Sequence, residues 1–327
     1  MKSLPVLVLL AMSIPLTAAE KKIDRFDPAF DRLVAKEAVV EKLGEGYRWS
    51  EGPVWYQNSV VFSDVPGNIA YQWKEGDKAP KVFLQPSGGE VPVGTSREPG
   101  SNGLAVDAQG RLLLCQHGAR RIARYENGTF TTLVDRYEGK RFHSPNDLVV
   151  RKSGQIFFTD PPYGLEGINE SPLKEQAVNG VYRLDPDGKV ALLIKDLSYP
   201  NGITLSPDEK VLYVAISDSA HPRVMAYDVQ PDATVANGRI FFDPKNTPEL
   251  KGPGGFDGLK TDREGNVWTT GPGGVLVISA QGKLLGRINT GVPTANCGWG
   301  GEDGSTLYIT ANNELVRVKT LTRGAGW

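Results

Sequence analysis

The sequence predicts an all-β chain folded as a six-bladed β-propeller, closed by an N-terminal strand that completes the last blade. Three observations predict it. One pattern recurs six times: an oxygen-bearing residue, a short apolar run, a turn, then a β-rich strand. The lead residues stand about 40 to 56 positions apart, a period that signals propeller blades. Many short Val/Ile/Phe/Tyr runs are punctuated by 38 glycines and 23 prolines, and no long amphipathic helical run follows residue 19. Finally, the last copy stops after three strands, while a lone strand precedes the first copy. A β-sandwich with coincidental turn signals is the alternative, and six aligned copies count against it.

The elements follow in order. Residues 1–19 have the three parts of a signal peptide: a basic start at Lys2, an apolar run from Leu4 to Leu16, and small residues Thr17-Ala-Ala19. The run is short for a membrane span. Cleavage near Ala19, and export to a periplasm or beyond, are therefore expected, with no stable membrane insertion afterwards. A buried helix or an uncleaved anchor is the alternative. Residues 20–37 form a polar leader, and 38–327 the propeller as one domain. The strand Ala38–Leu43 comes first. The copies then begin at Glu51, Asn102, Asn146, Asn201, Asp257 and Asn296, each leading into a second strand such as Val60–Asp64 or Gly154–Asp160. Third strands (Ile69–Trp73, Gly180–Leu184) and fourth strands (Lys81–Leu84, Val190–Ile194) follow in most copies. The last copy ends with Glu314–Val318, so pairing it to Ala38–Leu43 closes the ring and leaves no unpaired end.

Charge is nearly balanced, 37 basic against 38 acidic residues, without a basic block. That argues against a nucleic-acid partner, whose phosphates demand a clustered positive surface. The two cysteines, Cys115 and Cys297, fall in different copies, and two separate buried thiols are expected.

In a propeller the first strand of each blade lines the central channel, so the six lead residues converge on the axis. All six bear oxygen, and two are carboxylates. Asn or Asp beside Gly is an ordinary turn cap when taken singly. Glu51 is not a favoured turn residue, and six converging oxygen side chains without a cation are electrostatically poor. Together they suit a hard cation: Ca²⁺ first, with Mg²⁺ or Zn²⁺ as alternatives.

Glu51-Gly-Pro-Val-Trp55, Ser144-Pro-Asn-Asp-Leu148, Phe158-Thr-Asp-Pro-Pro-Tyr-Gly164, Pro200-Asn-Gly202 and Asp257-Gly258 resemble signature stretches of the SMP-30/gluconolactonase/LRE-like family, nearest its bacterial gluconolactonase branch. The resemblance implies a propeller lactonase with one divalent cation in the channel and a small-molecule lactone as substrate. It implies Glu51, Asn201 and Asp257 as metal ligands, Asn146 as a ligand or substrate contact, and Asp257 as catalytic base. Ser144 stands where the regucalcin-like branch has a substrate-contacting Arg. Of the paired channel histidines of the more distant paraoxonases, one position is Asn102 and the other resembles His117, so no dyad is present.

For lactone opening, a channel cation polarises the carbonyl and a base within reach handles the attacking water. Asp257 deprotonates or orients that water, and His117 is a candidate proton shuttle or a hydrogen-bonded strand-end residue. The insertion from Pro161 to Asn179 and the segment from Pro86 to Gly100, with Arg97, fall where loops cover sites. Tyr163 and Glu166 join Asn102, His117 and Asn146 as candidate substrate contacts. The competing readings are a strictosidine-synthase-like propeller and a non-catalytic ligand-binding propeller.

Overall fold

The computed structural model describes residues 21–91 and 94–327; the expected signal peptide lies outside them. Among the described residues the strands form six antiparallel sheets and one two-stranded hairpin, Arg136–Tyr137 with Lys140–Arg141. The first blade shows the plan: Ser50–Tyr56, Ser59–Asp64, Ile69–Trp73 and Lys81–Leu84 pair in chain order from the axis outward. The innermost strands of the six blades are Ser50–Tyr56, Ser101–Val106, Leu148–Val150, Pro200–Leu205, Leu259–Thr261 and Thr294–Gly300. They touch one another in that cyclic order, and the sixth returns to the first. The ring is the six-bladed propeller expected.

Each second strand is covered on both faces by neighbouring blades, which is why these strands are continuous apolar runs rather than alternating ones. Leu113 and Cys115 of the second blade pack with Phe158 and Tyr182 of the third. Trp268 of the fifth meets Trp299 of the sixth edge-on at 5.0 Å, in the layer that also holds Cys297. Burying one such side chain contributes about 1.5–3 kcal/mol. Both cysteines are free and buried, in separate layers.

Closure occurs as the strand arithmetic requires. Glu41–Glu45 pairs antiparallel with Glu314–Lys319, Lys42 opposite Val316. The strand begins three residues later than the Ala38 start expected, because Ala38 and Val40 lie half-buried against the layer between the fifth and sixth blades. The polar segment before it is also docked. Lys22–Arg25 adds a fifth strand to the fifth blade, Lys22 opposite Asn289 and Arg25 opposite Gly286. A short 3-10 helix, Pro28–Arg32, then buries Phe30 completely. Gly286 makes room for it: a Cβ there would stand 2.5 Å from the Phe30 ring. Arg287 donates to Asp24 at 2.8 and 2.6 Å.

One expectation needs correction. Taken singly, an Asn beside Gly, as at Asn201, reads as a turn cap, but Glu51, Asn102, Asn201 and Asn296 lie inside the innermost strands. In each of these four blades the pairing register shifts beside the lead residue, for example between Pro200 and Ile203. Such a bulge re-aims a side chain, here toward the axis. The glycine that follows serves close approach between blades. A Cβ on Gly202 would stand 2.2 Å from the Asp257 carbonyl oxygen, and one on Gly52 2.3 Å from that of Asn102. Gly202 N–H donates to Asp257 O at 3.1 Å, and Gly103 N–H to Asn146 O at 2.8 Å.

Candidate active site

Four bulges aim Glu51, Asn102, Asn201 and Asn296 at the axis, and Asn146 and Asp257, just ahead of their inner strands, join them at one end of the channel. Asn102 Nδ2 donates to Asn146 Oδ1 (3.1 Å), and Asn146 Nδ2 to Asn201 Oδ1 (2.5 Å). Across the ring, Glu51 Oε2 accepts from Gly52 N–H (2.7 Å) and from Asn296 Nδ2 (3.0 Å). Asp257 is anchored through its backbone N–H, which donates to Thr270 Oγ1 at 3.0 Å. Glu51, Asn102, Asn146, Asn201 and Asn296 are buried, whereas Asp257 keeps part of its surface open.

The electrostatics of this cup are strained in a direction that suits a cation. Burial, then the charge of Asp147, pushes the Glu51 carboxyl up to about 8. Burial and the Glu51 carboxyl beside it push Asp257 well above the usual carboxylate range. No lysine or arginine forms an ion pair with either carboxyl among the described residues, and the Asn102 Oδ1 is buried without a partner. Two carboxylates, amide oxygens and an orphaned acceptor are a donor set for a hard dication. Among the described residues no cluster of three or more His, Cys, Asp or Glu side chains is assembled, so any ion here relies on the amides. Glu51, Asn146, Asn201 and Asp257 are the residues that could hold it.

The mouth above the cup is roofed by two interlocked insertions. Ser96 bridges Leu165, Ser96 Oγ donates to Gly164 O at 2.7 Å, and Arg97 N–H donates to the same oxygen at 3.1 Å. Tyr163 stacks on Tyr199 at 5.7 Å, and its hydroxyl meets Ser217 Oγ. His117 is 1% exposed, and neither ring nitrogen has a hydrogen-bond partner. Burial drops its pKa to about 3, so the ring is neutral. His117 stands beside the Asn146 side chain and Tyr163 near Asp257.

Glu166 does not. It is exposed on the insertion and has no polar partner among the described residues. The acid at the mouth is Glu98, which sequence reasoning passed over; its Oε2 lies 3.8 Å from His117 Nδ1, and it pairs with Arg97. Its place in the rim segment just before Asn102 was the available signal. Ser144 is fully buried, donating to Pro161 O (2.6 Å) and accepting from Gly164 N–H (2.9 Å). It fastens the insertion instead of facing the channel. His143 is likewise buried, with Nε2 against Gln176 O at 3.1 Å, and His221 sits on an exposed loop.

Comparison with known proteins agrees with the propeller fold. A gluconolactonase of Zymomonas mobilis is 41% identical over 312 residues, covering 93% of this chain and 87% of that one. A solved gluconolactonase of Xanthomonas campestris superposes with a TM-score of 0.78 at 34% identity, covering 91% of this chain and 94% of the other. A regucalcin of Xenopus laevis is 24% identical, covering 82% and 85%. The family model described as the SMP-30/gluconolactonase/LRE-like region matches residues 49–313, all six lead residues included. The chain belongs to the SMP-30/gluconolactonase/LRE-like family.

Proposed function

We propose that this chain is a metal-dependent lactone hydrolase that opens a sugar-type lactone to its hydroxy acid at the channel cup. The observation that carries the reading is the pair of carboxyls, buried Glu51 and partly open Asp257, set among amide oxygens without a basic partner. Gluconolactonase relatives that cover nearly the whole chain support the substrate class.

Glu51, Asn146, Asn201 and Asp257 would hold a dication, Ca²⁺ by their oxygen donors, and it would supply Lewis-acid polarisation of the lactone carbonyl. The chain's own residues do the rest. Asp257, the lead residue with open surface, orients the attacking water and takes its proton. A new C–O bond forms at the acyl carbon, the ring C–O bond to that carbon breaks, and the ring oxygen leaves with the proton that Asp257 took from the water. Asn102, whose Oδ1 is unpartnered, and His117, with two free ring nitrogens, offer hydrogen bonds to the substrate. Tyr163 and the interlocked insertions limit water at the mouth. For residues 1–19 the reading includes export, which N-terminal sequencing of the mature protein tests.

The test is acid release from a panel of aldono-, alkyl- and aryl-lactones, with EDTA and after calcium is restored. Turnover that stops with EDTA and returns with calcium is expected. Asp257→Asn should retain the ion and lose about 10²- to 10⁴-fold in kcat, whereas Glu51→Gln should lose the ion itself. A bound cation without turnover of any lactone would point instead to a ligand-binding propeller.

A further inference from the structure

One step below the cup, the third blade departs from its neighbours. The residue after the lead position is glycine in four blades (Gly52, Gly103, Gly202, Gly258) and Cys297 in the sixth, but Asp147 in the third. Asp147 is 1% exposed. Its Oδ1 accepts from Leu148 N–H at 2.9 Å, while its Oδ2 is buried and lacks a hydrogen bond. Gly103 leaves space for this carboxylate, since a Cβ there would stand 2.5 Å from Asp147 Oδ1. The nearest cation is Lys260, three residues after Asp257. Its Nζ lies 3.7 Å from Asp147 Oδ2 and donates to Leu259 O at 3.0 Å.

We propose that Lys260 is a tethered cation that occupies the place a second metal ion would take beside Asp147, and so restricts the channel to one dication. Three carboxylates (Glu51, Asp257 and Asp147) and one ammonium leave two negative charges, which a single divalent ion neutralises. Without the ammonium, Asp147 faces the channel uncompensated, and a buried carboxylate in that state is costly enough to recruit a counter-ion. Lys260 is thus a positioning residue: it touches no substrate and acts through the charge of the ring above it. The inference rests on the cup's holding one dication, and the experiment separates the two.

The experiment is equilibrium dialysis of the full chain against roughly millimolar free calcium, with metal content measured per chain. Wild type and Lys260→Arg should hold one calcium, Lys260→Met two, and the double variant Asp147→Asn/Lys260→Met one again. Lys260→Met with one calcium at unchanged affinity overturns the proposal, as does a second ion that persists in the double variant. If Lys260→Met fails to fold, recovery of folding in the double variant supports the pairing, and failure of both overturns it. Wild type without calcium, beside an Asp147-dependent ion in Lys260→Met, upholds the tethered cation while removing the cup reading. No calcium in any variant removes both.

Discussion

Glu51 and Asp257 approach from opposite ends of the sequence, and the Glu51 carboxyl makes Asp257 harder to ionise. In the cation-free protein Glu51 holds its proton up to about 8, against an ordinary 4.5. Over that interval the native state binds more protons than the unfolded chain, so stability falls as pH rises. Asp160, buried and raised to about 7, adds to the same slope. A dication that keeps both cup carboxylates ionised reverses their part of it. Thermal melts between about pH 5 and 8 should therefore show a calcium-induced gain in Tm that grows with pH, and a gain independent of pH would contradict the cup. The ring of lead residues was legible because oxygen side chains recur at one register of every copy. Glu98 was not, since it sits in an irregular rim segment with no repeat to align it. Asp147 was visible only as an exception to the glycine rule, and that rule emerges from contacts between blades.

At the scale of the element, the Asn-Gly and Asp-Gly pairs show how one sequence signal serves two structures. As dipeptides they mark turns. In the ring the Asn102 and Asn201 carboxamides are re-aimed by bulges, and the glycine lets adjacent inner strands meet backbone to backbone. Gly202→Ala must push the Asp257 carbonyl away from 2.2 Å. We expect it to cost about 1–3 kcal/mol of stability, read from a urea midpoint, and to weaken calcium binding through Asp257. Gly188→Ala, on an open turn where an added Cβ meets nothing within 4 Å, should leave calcium affinity unchanged. Gly188 has a positive φ of 87°, so the stability comparison belongs to Gly202 alone. The strand Lys22–Arg25 escaped notice for a different reason: it is four residues long, mostly polar, and pairs with residues more than 260 positions away. Nothing local in KIDR distinguishes it from a solvated leader. Phe30, Leu33 and Val34, all buried in that segment, were its hydrophobic marks.

For the whole molecule, the two N-terminal strands play unequal roles. Lys22–Arg25 covers the outer edge of a blade that already has four strands, whereas Glu41–Glu45 supplies the missing fourth strand of the last blade. Removing residues up to 26 should lower Tm yet leave one cooperative transition and an intact cup. Removing residues up to 46 should abolish the cooperative transition, because the ring then ends in an open edge next to the blade that carries Asn296. Circular dichroism melts of the two truncations decide the point, and equal Tm losses would count against it. The fold class was legible from the repeat and the odd strand out, since closure is a matter of counting. Which edge the preceding polar residues would cover was not, because pairing partners so distant leave no trace in either sequence segment.

The joint between Glu41–Glu45 and Glu314–Lys319 has a consequence for how the protein comes into being. The strand made early in synthesis finds its partner only when the closing residues have been added, so this contact of very long range cannot assist the first stages of folding. Until then the chain carries an exposed strand edge, the feature most open to aggregation and proteolysis. A copy cut short at its C-terminus keeps that edge permanently. The seam therefore acts as a completeness check, hiding its vulnerable edge only in a molecule whose two ends have both arrived.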